Sequence, residues 1–283
     1  MASLAGLRVV STALNLPGPV ACARLRDLGA SLVKVEPPEG DPLLGYCADW
    51  YGRLHAGATI RRLDLKSGAG RSAMAALLDE ADVIVTAQRP SALARMGLDA
   101  GSLQARPRLC HVAIVGHAPP HDDVAGHDLT YLAANGLVAP PHLPPTLFAD
   151  MAGGERAATE ALALVVARQR TGRGGSAIVA LADVALALAQ PLREGLTAPG
   201  ALLGGGLAGY NLYAAAEGWV ALAALEPRFL QRLAEALGAV PPTYEKLAAK
   251  FRERPAREWE SWARQNDVPL VAVQSPFQES SSS

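Results

Sequence analysis

The sequence predicts an α/β protein: an open, mostly parallel sheet with helices on both faces, followed by a second, smaller α/β domain. Short apolar runs alternate with helical patterns through the first half of the chain, as they do when helices join parallel strands. A glycine-rich stretch, LTAPGALLGGGLAGY, then changes the composition before a further set of strand and helix patterns. The large domain is therefore predicted to be Rossmann-like.

The elements of the large domain follow in order along the chain. Pro19 and Gly29 are predicted to lie in the first turn and at the end of the first helix, where these residue types are favoured. Helices are predicted at PVACARLRDLGA, GAGRSAMAALLDEA and SALARMG. Strands are predicted at LRVVST, SLVKVEP, DVIVTA and RLCHVAIVG.

Two helices, at about 127–137 and 151–170, are predicted next, and the second ends in the basic, glycine-containing RTGRGG. A strand and a helix follow in SAIVALADVALALAQPLREG. The small domain is predicted to contain the strands GWVALAAL and VPLVAV and helices near 227–237, 243–252 and 255–264. The predicted boundaries are a large domain at 1–195, a linker at 196–215, a small domain at 216–277 and a disordered tail at 278–283.

The composition limits the class of partner. The 283 residues carry a net charge of −1, with acids and bases mixed along the chain, so no nucleic acid is expected. The three cysteines are far apart, which predicts a reduced, cytoplasmic protein. The most apolar run, SAIVALADVALALAQPL, is shorter than the roughly 20 residues that span a bilayer. The apolar N-terminus lacks a basic start, so neither a membrane segment nor a signal peptide is expected.

Two motifs suggest cofactors, and their context argues against both. GGGLAG at 204–209 matches G-x-G-x-x-G by letter, but a strand pattern follows it where the dinucleotide motif requires a helix. HAPPHDDVAGHD gathers histidines and aspartates, but their spacing matches no standard ligand set, and its prolines predict an extended surface loop. No nicotinamide cofactor and no metal are therefore expected.

Three ionisable residues stand where apolar helices begin: His127, Asp128 and Asp150. The simplest interpretation is structural, because aspartate at a helix N-cap contributes about 1 kcal/mol. The alternative is an acid–base site, because a helix N-terminus favours an ionised carboxylate and histidine titrates near neutrality. Spacing alone leaves both open.

The chain also resembles a known family in motifs that lie in the family's order. They begin with LAGLRVVSTALNLPGPVACARLRDLGASLVKVEPPEGDPL and continue through LDLKSGAGR, ADVIVTAQRPSALARMGL, AGHDLTYLAANGL, LFADMAGG and RTGRGG. They resume in GGGLAGYNLYAAAEGWVALAALEPRFLQRLAEALG. These motifs are similar to the family III CoA-transferases, and GHD and ALEP are more similar to the α-methylacyl-CoA racemase branch.

This resemblance implies an acyl-CoA substrate and roles for individual residues. In the racemases the aspartate of AD and the histidine of GHD are the two bases; here they are Asp150 and His127, and Glu226 matches a position near the site. In the transferases the same aspartate is acylated and then holds CoA as a thioester. The remaining matches imply contacts with CoA and are Arg89, Lys34, Pro37 and Asp128.

The chain departs from the family pattern in its CoA cleft and at its C-terminus. LHAGATIRR replaces an N-R-G-K element, TAQRPS lacks the usual asparagine, and the stretch between the two catalytic residues is short. The chain also stops where a final segment interlocks two subunits in the family, although a homodimer is still expected. The predicted reaction is α-carbon racemisation of a 2-methylacyl-CoA. CoA transfer between carboxylic acids through Asp150, or a non-catalytic relative that binds acyl-CoA or a protein, are the alternatives.

Overall fold

The computed structural model describes residues 3–238 and 242–274. The chain divides into two compact units, Met1–Ala189 and Gln190–Ser283. The predicted tail at 278–283 lies outside the described residues. In the part of the chain that the structure describes, no helix combines the length and the apolar character needed to cross a membrane.

The first unit is built on six strands and nine helices among its described residues. The strands are β1 (Arg8–Ser11), β2 (Ser31–Glu36), β3 (Thr59–Arg62), β4 (Val83–Thr86), β5 (Cys110–Val115) and β6 (Ser176–Ala180). The helices are α1 (Pro17–Asp27), α2 (Pro42–Tyr46), α3 (Ala48–Leu54), α4 (Gly68–Asp79), α5 (Pro90–Arg95), α6 (Ala100–Gln104), α7 (Asp128–Ala134), α8 (Phe148–Thr171) and α9 (Leu181–Leu188).

The six strands form one sheet in the order β3-β2-β1-β4-β5-β6. Each neighbouring pair is parallel, and the order is that of the Rossmann fold. The predicted fold class is confirmed. Strand β3 is absent from the sequence prediction because all four of its residues are exposed, so no apolar run marks this edge of the sheet.

Apolar cores cover both faces of this sheet. Val9 of β1 belongs to one core, which also includes apolar residues of α1 and α8, whereas the next residue, Val10, belongs to another with residues of α4. Successive side chains of a strand point to opposite faces, so both faces of β1 are buried. This explains why strands covered on both faces are continuous apolar runs in the sequence.

The two helices that carry the ionisable residues begin at positions that correct the predicted caps. Helix α7 has His127 at its N-cap and Asp128 as its first residue. Helix α8 begins at Phe148, so Asp150 lies in the first turn and not at the cap. Arg168 and Arg170 lie in the last turn of α8, followed by Gly172 with φ 71°, as the RTGRGG pattern predicts.

The second unit contains a separate antiparallel sheet. Its elements are α10 (Gln190–Arg193), β7 (Tyr210–Ala214), β8 (Trp219–Ala223), α11 (Pro227–Leu237), α12 (Tyr244–Phe251), α13 (Ala256–Asn266) and β9 (Leu270–Ala272). The strand order is β7-β8-β9, and both pairings are antiparallel. Its apolar core includes Phe251 and Trp259, which lie edge to face at 5.2 Å between ring centroids.

The predicted linker and the glycine-rich GGGLAG motif both belong to the second unit. Strand β7 lies inside 196–215, the stretch predicted as a linker, so that stretch contributes a strand to the small sheet. The glycines of GGGLAG form an irregular turn at Leu202–Gly206, with Gly205 at φ 97°, which leads into β7. A dinucleotide motif requires a strand before it and a helix after it, so this context does not fit one.

Candidate active site

The cleft that contains the candidate residues lies where the strand order of the large sheet reverses. In this order the crevice between β1 and β4, beyond the carboxyl ends of the strands, is the usual ligand position. A cavity of about 260 Å³ occurs there, at the ends of β1, β4 and β5. It is lined by Asn15, Arg89, Gly116, His127, Tyr131 and Asp150, among others. We call it the Asp150 cleft.

Close helix packing brings Asp150 to this cleft. The glycines that follow it allow α8 to approach its neighbours: a Cβ on Gly154 would lie 2.6 Å from a methyl carbon of Val20, and one on Gly153 would lie 2.3 Å from a methyl carbon of Leu181. Distances below 3.0 Å are not tolerated between such atoms. The small residues of the ADMAGG stretch therefore fix the start of α8 against α1 and α9.

Asp128 connects the starts of α7 and α8. Its buried carboxylate accepts hydrogen bonds at Oδ1 from the backbone N–H groups of Ala149, at 2.7 Å, and Asp150, at 3.0 Å. These N–H groups lie in the first turn of α8 and have no partner within the helix. The sequence resemblance predicts a CoA contact for Asp128, and its burial and bonds favour a supporting role instead.

The environment of Asp150 corrects the expectation that a helix start keeps this carboxyl ionised. Burial, with the nearby Asp128 carboxylate as a second cause, raises the pKa of Asp150 to about 7. Both causes disfavour a second negative charge in a poorly solvated place. A carboxyl with this pKa can accept or give a proton near neutral pH, as a general acid or base must.

His127 and Tyr131 form the side of the cleft that α7 contributes. His127 is exposed, and its backbone N–H donates to Thr130 Oγ1 at 3.0 Å. Tyr131 is buried and close enough to Asp150 that burial and this carboxylate raise the pKa of its phenol. Tyr131 is not among the residues predicted from the sequence, although its position four residues after His127 places both on one helix face.

Two glycines make room for the Tyr131 ring. A Cβ on Gly126 would lie 2.5 Å from Tyr131 Cε1, and one on Gly116 would lie 2.4 Å from the phenol oxygen. Gly126 is the glycine of the GHD motif. The motif therefore has a physical reason, since any side chain at Gly126 would displace the tyrosine from the cleft wall.

A second cleft of about 290 Å³ lies at the carboxyl ends of β1, β2, β3 and β4. Its lining includes Pro37 and Lys66, and it shares Leu14 and Gln88 with the Asp150 cleft. Gln88 bonds to Thr12 through both side-chain atoms: Nε2 donates to the Thr12 carbonyl at 2.5 Å, and Oε1 accepts from Thr12 Oγ1 at 2.9 Å. The two clefts therefore adjoin at a fixed glutamine.

The other residues singled out in the sequence have different surroundings. Arg89 is exposed and lines the Asp150 cleft. The Lys34 side chain is 1% exposed and contacts Asp41, which argues against the predicted contact with CoA. Glu226 belongs to the second unit, where it is the N-cap of α11. Among the described residues, no group of three or more histidine, cysteine, aspartate or glutamate side chains is arranged to hold a metal ion.

Comparison with known proteins extends over nearly the whole chain. The profile of CoA-transferase family III matches residues 4–281. The human α-methylacyl-CoA racemase is 30% identical over 91% of this chain and 74% of its own length. A probable fatty acyl-CoA transferase of Mycobacterium tuberculosis, Rv3272, is 27% identical over 89% of this chain and 73% of its own. A crystal structure of Rv3272 superposes with a TM-score of 0.83 at 26% identity and covers 97% of this chain and 83% of the other.

Proposed function

The chain belongs to CoA-transferase family III, and from this premise we propose that it is an acyl-CoA enzyme that racemises the α-carbon of a 2-methylacyl-CoA. Relatives that act as racemases and as CoA-transferases both match, so the choice between them rests on the cleft. The supporting observation is the raised pKa of Asp150, about 7, in a cleft that His127 also lines. A carboxyl with this pKa, together with a histidine in the same cleft, suits proton transfer in both directions.

The reaction requires two bases on opposite faces of the α-carbon. In the proposed cycle, ionised Asp150 removes the α-proton of one epimer, and protonated His127 delivers a proton to the other face. The roles reverse for the opposite epimer. A transferase needs Asp150 as a nucleophile and has less need of His127. The presence of both side chains in one cleft therefore favours proton transfer over acylation.

The two adjoining clefts suggest how the thioester is held. We place the nucleotide end of CoA in the second cleft, where Pro37 provides an apolar wall and Lys66 a positive charge for phosphate. The pantetheine arm would then pass Leu14 and Gln88 to bring the thioester to Asp150, with Arg89 at the same cleft.

The test is incubation of the purified protein in D₂O with a panel of 2-methylacyl-CoA thioesters, read by mass spectrometry. Deuterium is expected at the α-carbon. Asp150→Asn and His127→Ala should each lower the rate of incorporation by about 10²–10⁴-fold, the usual contribution of a general acid or base. Asp99→Asn is the matched control, because Asp99 caps a short helix at Ser102 and does not line the cleft.

Two results would contradict this proposal in different ways. A covalent CoA adduct that disappears with Asp150→Asn, without deuterium at the α-carbon, would make the protein a CoA-transferase. CoA binding without exchange or adduct across the panel, and unchanged by Asp150→Asn, would make it a non-catalytic relative.

A further inference from the structure

A cluster of ionisable side chains lies buried beside the Asp150 cleft. We call it the Lys34 cluster and define it as Lys34, Asp41 and His55. The side chains of Lys34 and Asp41 are 1% and 0% exposed, and the Lys34 ammonium contacts Asp41 Oδ2. Buried opposite charges of this kind persist only where their remaining hydrogen-bonding groups also find partners.

His55 completes the surroundings of the ammonium in a defined tautomer. Its Nδ1 lies 2.8 Å from the Tyr51 carbonyl oxygen, which only accepts hydrogen bonds, so Nδ1 carries the proton. Nε2 then has a free lone pair and accepts from Lys34 Nζ at 3.1 Å. Burial and the Lys34 charge lower the pKa of His55, which keeps this imidazole neutral. The ammonium is thus held between one carboxylate and one neutral ring.

The second oxygen of Asp41 points away from Lys34 and toward backbone. Oδ1 accepts from the N–H of Leu43, at 2.9 Å, and from the N–H of Asn15, at 3.0 Å. The first of these bonds is an ordinary N-cap on α2. The second reaches 26 residues back, to the loop after β1. Asp41 therefore joins the buried cluster to a loop that belongs to another element.

This loop is part of the wall of the Asp150 cleft. Leu14 and Asn15 both line the cleft, and Asn15 adopts a left-handed conformation with φ 62°. Such a conformation is disfavoured for residues other than glycine, although asparagine tolerates it better than most. A strained loop keeps its shape when surrounding bonds over-determine it. The hydrogen bond from the Asn15 N–H to Asp41 is one such bond.

We propose that Asp41, anchored by Lys34 and His55, is a positioning residue that holds the Leu14–Asn15 wall of the Asp150 cleft in its working shape. The effect on catalysis rests on the proposed function, whereas the effect on the loop does not. Asp41 acts through the acceptor oxygen that it presents to Asn15. The Lys34 charge serves to hold that carboxylate in place.

The test compares two variants that both lack the buried charges. Lys34→Met with Asp41→Asn keeps an acceptor oxygen for the Asn15 N–H, whereas Lys34→Met with Asp41→Leu removes it. Hydrogen–deuterium exchange of the ligand-free proteins, resolved at the Asn15 amide, reads the loop directly. Deuterium incorporation at the substrate α-carbon gives kcat and KM.

The leucine variant should exchange the Asn15 amide about tenfold faster than the asparagine variant, as expected from the net value of one hydrogen bond. Its kcat should fall about tenfold with KM within about threefold, while the asparagine variant stays within about threefold of the parent. Asp99→Leu controls for the loss of a cap, because Asp99 caps α6 in the same way. It should change stability while leaving the Asn15 amide and kcat unchanged.

Equal exchange of the Asn15 amide in the two double variants would overturn the proposal. Faster exchange in the leucine variant with an unchanged kcat would also overturn it, since the loop would then move without consequence for the cleft. If the parent protein shows no turnover, the proposed function fails, and the amide comparison alone still decides whether Asp41 holds the loop.

Discussion

Two aspartates in the first unit, the half-buried Asp150 and the buried Asp41, have opposite electrostatic partners. Asp150 lies near the carboxylate of Asp128, and burial together with this like charge raises its pKa to about 7. Asp41 contacts the ammonium of Lys34, and both side chains are almost completely enclosed. One carboxyl is therefore poised to exchange a proton, and the other is fixed as an acceptor of backbone hydrogen bonds.

Burial alone does not identify a reactive carboxyl. Asp150 has a neighbouring carboxylate and lines a cleft, as an acid–base group requires. Asp41 contacts a positive charge and is completely enclosed, as a structural group is. The two are connected, since Asp41 holds Asn15 and Asn15 lines the cleft that contains Asp150. Removing the partner of one aspartate should therefore have a different consequence from removing the partner of the other.

The largest effect is expected when Lys34 is removed alone. Lys34→Met leaves the Asp41 carboxylate buried without its opposite charge, which should lower the free energy of unfolding by about 3–5 kcal/mol. Urea denaturation measures this change. The control is Lys250→Met, which breaks the exposed pair with Glu253 and should cost about 0–1 kcal/mol. Similar losses in both variants would show that the buried pair has no special role.

A smaller effect of the opposite sign is expected at Asp150. Its pKa is raised from 3.8 to about 7, so the folded protein binds more protons than the unfolded chain between these values. Stability from this carboxyl is present at low pH and is lost as pH rises toward 7. Asp150→Asn removes that loss. The difference in free energy of unfolding between the variant and the parent should increase in favour of the variant by about 1–2 kcal/mol from pH 5 to pH 8. This figure includes a discount for the partial exposure of Asp150.

Urea denaturation at several pH values measures this difference. Asp99→Asn provides the contrast, because hydrogen bonds from Ser102 lower the pKa of Asp99, and its difference from the parent should not grow over the same range. A constant difference between Asp150→Asn and the parent from pH 5 to pH 8 would mean that Asp150 has an ordinary pKa. The proposed acid–base role would then lose its main support.

The fold could be predicted from the sequence because strands covered on both faces must be continuous apolar runs. Val83 to Val85 of β4 are completely buried. A fully apolar segment of this kind predicts a strand that is covered on both of its faces, as in the middle of a parallel sheet. The edge strand β3 could not be predicted in the same way, since its exposed residues, Thr59 to Arg62, carry no apolar pattern.

The candidate site was predictable only in part. His127 and Asp150 stand at helix starts and within family-like motifs, and both line the cleft. The direction of the Asp150 pKa was not predictable, because it depends on burial and on a carboxylate 22 residues away that packing brings to the start of α8. The family resemblance implied a CoA contact for Lys34, and its contact with Asp41 is visible only in the folded chain.

The smallest effect is expected from Asp128→Asn, which removes the like charge near Asp150 and so tests the contrast between Asp150 and Asp41. The amide keeps an oxygen that can accept from Ala149 and Asp150, so the start of α8 should remain capped. The pKa of Asp150 should fall, and the acidic limb of the pH dependence of kcat/KM for α-proton exchange should move to lower pH. Burial is the larger of the two causes that raise this pKa, so the movement should be less than about 1.5 pH units.

The matched control for this movement is Asp122→Asn. Asp122 lines the same cleft, but the raised pKa of Asp150 is attributed to burial and Asp128. The control should therefore leave the acidic limb in place. An acidic limb that stays fixed in Asp128→Asn would assign the raised pKa to burial alone. An acidic limb that returns to the ordinary pKa range of a carboxyl would assign the raised pKa of Asp150 to the like charge of Asp128. The contrast between Asp150 and Asp41 would then rest on the charge of the partner alone.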